Sequence, residues 1–439
     1  MTTSRTHLNG RCITFWSLVF LGCCMTPGSG AGAPAASNGA ANTLSVDAVV
    51  EAVVRHNPEL EFYHAEIAAA KAGRRTAAQW QNPEVSADLG GKRVWDRGGH
   101  ALGDGAAWSV SVGQAFEYPG RIALRKAIAN GQVELADLGL AQFQASLAAR
   151  ARTKAQLALA AQQKADAVHE VAQRFRSLLD VLVQRDPAGV TPLLDQRIIE
   201  ATSVTLQRRA AQAGREVQGA LLELNQLRGS PAGAPLRLTG SLEVPTNAPS
   251  LPVLLEAAAT NSFDLRMRQA ELAQQGFRVQ LARNERYPTV TLTPFFASER
   301  ANDEQQIVGL GVSVPVPLWT RNQGNIDAAR AREQQAEASL RATQRDVERR
   351  VADHALALST HLVEMAQWRP DAQAQFREAA ELADRHFRLG AVPVTTYVEM
   401  QLKYLDALEA LLATRHEALD QRQQLEVLVG RSLDSLVAR

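Results

Sequence analysis

Several things are scarce or missing in this chain of 439 residues, and each scarcity excludes something. Cysteine occurs only at Cys12, Cys23 and Cys24, so a chain trimmed beyond them has no disulfide framework. An excess of charge of either sign is missing: 47 Lys and Arg stand against 46 Asp and Glu, a formal balance of +1. With no basic run and no interleaved aromatic platform, nothing draws the chain to nucleic acid. No Walker loop, HExxH helix, CxxC pair or GxSxG elbow occurs, and no set of titratable residues converges on one place. The expectation is a protein that is not an enzyme, with no catalytic residue, cofactor or resident metal.

Long apolar runs are missing too. The apolar core from Ile13 to Leu21, preceded by Arg5, His7 and Arg11 and followed by small residues, is too short for a stable membrane anchor. It reads as a secretory signal peptide and tether over residues 1–35. Phe20-Leu21-Gly22-Cys23 resembles a bacterial lipobox, which makes Cys23 a lipidation candidate; cleavage near the run Ala31 to Ala36 is the alternative.

What is present is organised around Val308 to Ile326. Val308, Leu310, Val312, Val314 and Val316 alternate with Gly309, Gly311, Ser313, Pro315 and Pro317, the two-residue period of a strand with one apolar and one small or polar face. After Trp319 the period becomes helical and is expected to run to Arg388. The same join occurs earlier: Trp108, Val110, Val112 and Phe116 alternate with small residues, and Pro119-Gly120-Arg121 opens a second long helix.

The remaining elements fall around these two joins. A helix begins after Leu44-Ser45, another spans about Glu59 to Trp80, and the Gly-rich tract Gly90 to Gly105 suits an exposed connector. A shift of 205 places Glu51-Ala52 on Glu256-Ala257 and Pro83-x-Val85 on Pro288-x-Val290. A shift of 201 places Gly189-Val-Thr-Pro192 on Gly390-Ala-Val-Pro393, and Leu227-x-Gly229 on Leu428-x-Gly430. Two tandem repeats are expected, 44–240 with strands near 83–90 and 107–117, and 251–431 with strands near 288–299 and 306–317, joined by a linker at 241–252.

Magnitudes restrict what this plan can build. A helix from Arg121 to Gln184 is about 95 Å long at roughly 1.5 Å per residue, and needs continuous partners. Four amphipathic strands of membrane length cannot close a barrel, which takes about eight. An open edge is not tolerated in a bilayer, so several copies must join; three would give about twelve strands.

The duplicated plan resembles the outer-membrane factor family, the TolC-like efflux ducts, over about Leu44 to Gly430. The segment Pro317-Leu318-Trp319-Thr320-Arg321-Asn322-Gln323-Gly324-Asn325-Ile326 is similar to the CzcC-like branch, which serves heavy-metal cation exporters. The resemblance implies a mainly α fold with a small β part: a homotrimer whose four strands per chain close a 12-stranded β-barrel in the outer membrane, continued by a periplasmic α-helical barrel. It also implies a periplasmic adaptor protein, an inner-membrane resistance-nodulation-division pump, and a passive role for this chain as exit duct.

The same resemblance places a closed entrance at the helical tip. Gly189, Pro192, Gly390 and Pro393 would form the tip and adaptor contact, and Glu399, Thr396 and Asp195 would line the pore entrance. Three copies of Glu399 would make a charged ring that attracts cations; the competing reading is a solvated carboxylate near a helix start. Among the nine histidines, His354 and His361 lie seven residues apart, too far to share one ion directly. Trp80, Trp95, Trp108, Trp319 and Tyr118 cluster near strand ends, where interfacial aromatics would sit; packing beneath the barrel is an equal reading of Trp80 and Trp319. The cargo stays open between heavy-metal cations and drugs or small organic compounds, and a secreted helical scaffold is the alternative outside transport.

Overall fold

The computed structural model describes residues 42–185, 193–301, 303–369 and 371–437. The segment expected to be a signal peptide, with Cys23, and also Gly189 and Pro192 therefore lie outside the described residues. In order the chain runs β1 (Asn42–Ser45), α1 (Val46–His56), α2 (Leu60–Ala77), β2 (Glu84–Trp95), β3 (Ala101–Phe116), α3 (Arg121–Arg185), α4 (Leu193–Leu227) and β4 (Leu236–Thr239). It continues with α5 (Leu251–Asn261), α6 (Phe263–Asn284), β5 (Val290–Arg300), β6 (Glu304–Ser313), α7 (Gln323–Gln367), α8 (Ala372–Arg388), α9 (Val394–Val429) and α10 (Asp434–Val437). The chain is mainly helical with a small sheet part.

The first helix starts where its cap chemistry dictates. Ser45 Oγ accepts from Ala48 N at 3.2 Å, and Asp47 adds a negative charge to the first turn. α3 runs 65 residues without a proline, about 97 Å at roughly 1.5 Å per residue. It serves as the spine: α1, α4 and α9 pack along it around a shared apolar core that includes Val49, Val53, Phe175, Leu206 and Leu408. A second core joins α5, α7 and the end of α9 through Leu254, Val351, Leu358, Leu425 and Leu428.

Three features differ from the sequence expectation. The helix expected from Gln323 to Arg388 is two helices, because Trp368 leaves the helical region at φ −78°, ψ 134° and α8 restarts at Ala372. Pro370 accounts for the break: a proline disfavours the helical conformation of the residue before it and cannot donate to the ladder. The tract Gly90 to Gly105 is strand rather than loop. β2 and β3 pair antiparallel from Glu84↔Gly113 to Trp95↔Ala101, with only Asp96 to His100 left as the turn. At Gly105 only glycine fits, because a Cβ there would overlap the Arg300 carbonyl. The second hairpin is also displaced from its expected bounds, with β6 ending at Ser313 before the two prolines.

The four long strands form one antiparallel sheet in the order β2-β3-β5-β6. A separate parallel pair, β1 with β4, ties the start of the chain to the segment after α4 and buries Leu236 and Leu238.

Candidate functional site

The sheet separates its side chains by chemistry, and the register shows how. On one face, Val85, Ala87 and Leu89 of β2 stand opposite Val112, Val110 and Trp108 of β3. Trp108 and Val110 are followed across by Ser298 and Phe296 of β5, and Leu292, Pro294 and Phe296 stand opposite Val312, Leu310 and Val308 of β6. This apolar surface is exposed in the single chain; Leu89 is 89% and Val308 80% accessible. Toward the hairpin ends the face becomes charged, with Arg93–Asp104 at 3.4 Å and Arg300–Glu304 at 2.7 Å.

The other face is polar. Ser109 Oγ donates to Asp88 Oδ2 at 2.9 Å, and Lys92 Nζ reaches Glu299 Oε2 at 2.8 Å and Gln305 Oε1 at 3.4 Å. The Phe295 ring lies over Gly309, where a Cβ would come within 2.5 Å of it. Both sides of the sheet follow from the two-residue period, since successive strand residues point to opposite faces. Among the described residues, no strand pairs with the outer edge of β2 or of β6.

At the far end of the helices, α8 stops on Gly390 at φ 74°. Gly390 N donates to Phe387 O at 2.9 Å and Ala391 N to His386 O at 2.8 Å, a paired helix stop that needs a left-handed residue. Pro393 then occupies the cap position of α9. Thr396 and Glu399, three residues apart, share the exposed side of the first turns of α9, while Val394, Tyr397 and Gln401 point inward. Asp195 sits in the first turn of α4, half-buried. The structure thus gathers Gly390, Pro393, Thr396 and Glu399 at one helix junction, and places Asp195 on a different helix; no bond joins Asp195 to Glu399 among the described residues.

Sequence reading missed what fixes this junction. Tyr397 is fully buried between Phe387 (ring centroids 4.8 Å apart) and Phe175 (5.2 Å). Its hydroxyl donates to Asp384 Oδ1 at 3.2 Å, and Asp384 Oδ2 accepts from Arg388 Nε at 2.9 Å. Burial, with the Asp384 charge beside it, pushes the Tyr397 phenol well above its ordinary pKa. Higher up, Lys164 of α3 binds Glu409 (2.7 Å) and Glu216 (3.0 Å), and Arg209 of α4 binds Glu409 (2.7 Å) and Asp406 (3.1 Å). That cluster clips three helices together. Partners some 200 residues apart leave no local signal.

Trp80 and Trp319 are 60% and 91% accessible in the single chain. Trp80 meets only the edge of Phe116 among the aromatic rings, at 6.0 Å. His354 and His361 are engaged separately: His354 Nδ1 lies 2.7 Å from Gln421 Oε1, and His361 Nδ1 lies 3.6 Å from Glu364 and 3.8 Å from Glu417. No group of three or more metal-ligating side chains is assembled among the described residues. None of the described helices is long and apolar enough to cross a membrane, which says nothing of the sheet.

Residues 254–431 match the family model described as outer membrane efflux protein. Over 146 residues the chain is 26% identical to the cobalt-zinc-cadmium resistance protein CzcC of Cupriavidus metallidurans. That stretch is 33% of this chain and 34% of the relative, so the match spans about a third of either. The fold is similar to that of CusC, solved in a study of folding and transmembrane channel formation, with TM-score 0.68 at 15% identity over 89% of this chain and 93% of CusC. It is similar to the CmeC outer membrane channel of Campylobacter jejuni with TM-score 0.69 at 14% identity, over 88% of this chain and 85% of CmeC. At these identities the likeness establishes the fold.

Proposed function

We propose that this chain, which through residues 254–431 belongs to the outer membrane efflux protein family, is the outer-membrane channel of a tripartite efflux system and a passive exit duct for heavy-metal cations. The observation that carries the channel reading is the sheet. Its apolar face matches a lipid-facing surface, its polar face suits a water-filled lumen, and its two open edges require partners in a bilayer. Three copies, each giving four strands, would close a 12-stranded barrel without edges, and the helices would continue it across the periplasm. The chain is then a conduit with no chemical step of its own, served by a periplasmic adaptor and an inner-membrane resistance-nodulation-division pump.

The two halves read as tandem repeats. Gly229 closes on the His56 carbonyl as Gly430 closes on that of Asn261, positions related by the sequence shifts of 201 and 205. Cation cargo is supported by the likeness to the cobalt-zinc-cadmium resistance protein and by the exposed Glu399 at the tip, which three copies would turn into a ring. Deleting the chain in its host tests this directly. Tolerance to zinc, cobalt, cadmium, nickel, copper or silver salts should fall while tolerance to dyes and antibiotics holds, and wild type should restore it. Sensitivity to organic compounds alone would leave the duct and remove the metal assignment. A protein that leaves the membrane pellet without detergent would remove the duct.

A further inference from the structure

Where the sheet meets α7, a cavity of about 710 Å³ opens beside the chain that leaves β6. Val316, Trp319, Thr320 and Arg321 line one side, and Glu285 and Arg286 at the end of α6 line the other. Val316, 68% exposed, is the last member of the alternating series Val308 to Val316 in the sequence and lies just past the end of β6, between the apolar strand face and this cavity. Trp319 projects almost fully into solvent beyond it.

Neither arginine of this cavity pairs with a carboxylate among the described residues. Arg321 makes no ion pair or hydrogen bond among the described residues, and Arg286 donates only to Tyr287 Oη at 3.0 Å while its guanidinium lies over the same ring. Two arginines and one carboxylate, Glu285, therefore line a cavity open to solvent, with no ion pair joining them among the described residues. At the opposite, hairpin end of the sheet Arg93 pairs with Asp104 and Arg300 with Glu304. The order along the surface is apolar side chains, then an exposed indole, then unpaired arginines, which follows the polarity gradient of a bilayer from acyl chain through interface to phosphate.

We propose that this cavity seats the phosphate of an anionic phospholipid headgroup, with Arg286 and Arg321 as its ligands, Trp319 at the interface and the acyl chains along the apolar sheet face. The assignment rests on the sheet facing lipid. Basic pockets at membrane-boundary height bind such headgroups, with about 1 kcal/mol for each arginine near the surface, or roughly fivefold in affinity.

The test uses full-length protein purified in nonionic detergent, titrated with phosphatidylglycerol, phosphatidylcholine or inorganic phosphate and read by native mass spectrometry. Wild type should retain phosphatidylglycerol in preference to phosphatidylcholine. The double substitution Arg286→Ala with Arg321→Ala should weaken that retention about 30-fold, while Arg93→Ala at the hairpin end should leave it unchanged. Equal retention of the two lipids, or an equal loss in Arg93→Ala, overturns the proposal. So does full displacement by inorganic phosphate, which would make this a free-anion site instead. Membrane fractionation of the same variants separates the two readings: protein that stays in the outer-membrane pellet without showing a lipid preference keeps the duct and loses only this site.

Discussion

Gly430, at φ 70° on the end of α9, closes on the Asn261 carbonyl so tightly that a Cβ would lie 2.5 Å from the oxygen. The contact seats the end of α9 against the junction of α5 and α6. Gly430→Ala forces an L side chain into a left-handed conformation, which costs about 1–2 kcal/mol, and adds a backbone clash. Gly390, at φ 74° with open space around it, has the same conformational demand without the clash. Thermal unfolding in detergent should therefore show a larger loss for Gly430→Ala than for Gly390→Ala. Equal losses would mean that the close approach contributes nothing.

The two faces of β6 should respond oppositely to charge. Leu310→Arg places a cation in the apolar face, at a cost of about 2–4 kcal/mol if that face meets the bilayer midplane. Gln305→Arg lies on the polar face near Glu299. Outer-membrane fractions should lose the first variant and keep the second, and comparable recovery of both would count against a lipid-facing sheet.

Tyr397 should separate packing from hydrogen bonding at the tip. Tyr397→Phe keeps both ring stacks and loses one bond to Asp384, about 1 kcal/mol. Tyr397→Ala empties a fully buried site between Phe175 and Phe387, about 3–5 kcal/mol. If the tip is the duct entrance, Tyr397→Ala should loosen it and admit large antibiotics from outside, while Tyr397→Phe behaves as wild type in the same susceptibility assay.

The Lys164–Glu409–Arg209 cluster gives stability a dependence on acid. Burial opposes ionisation of Glu409, but hydrogen bonds from Lys164 and Arg209 override it and hold the carboxyl below its ordinary value of 4.5. For a carboxylate with a depressed folded value, the stabilisation is present above the unfolded pKa and is lost as pH falls through the folded one. Glu409→Gln should therefore flatten the fall in thermal midpoint below about pH 4.5. Near pH 7 it should cost no more than about 1 kcal/mol, since the cluster is partly exposed.

Glu399→Ala tests the proposed entrance ring. In a duct reconstituted into planar bilayers, the variant should lose cation preference relative to wild type, and Glu399→Asp should retain it. An unchanged preference in Glu399→Ala would leave Glu399 as a solvated helix-start carboxylate.

Much of this architecture is written locally in the chain. Strand faces were legible because a period of two assigns each side chain of β3 and β6 to a side without reference to anything distant. The helix stops at Gly390 and Gly430 were legible because a left-handed stop favours glycine. The break before α8 was in reach too, since Pro370 marks it, but the helical period on either side outweighed one residue. Glycines between Gly90 and Gly105 read as a connector because a tract poor in side chains carries no period; only the pairing of β2 with β3 reveals it as strand. What tertiary structure alone decided is the set of contacts between residues far apart in sequence, Phe175 on Tyr397 and Lys164 on Glu409. A side chain's own helix says that it faces inward, but which of several inward-facing partners it meets depends on how the long helices slide and turn against one another.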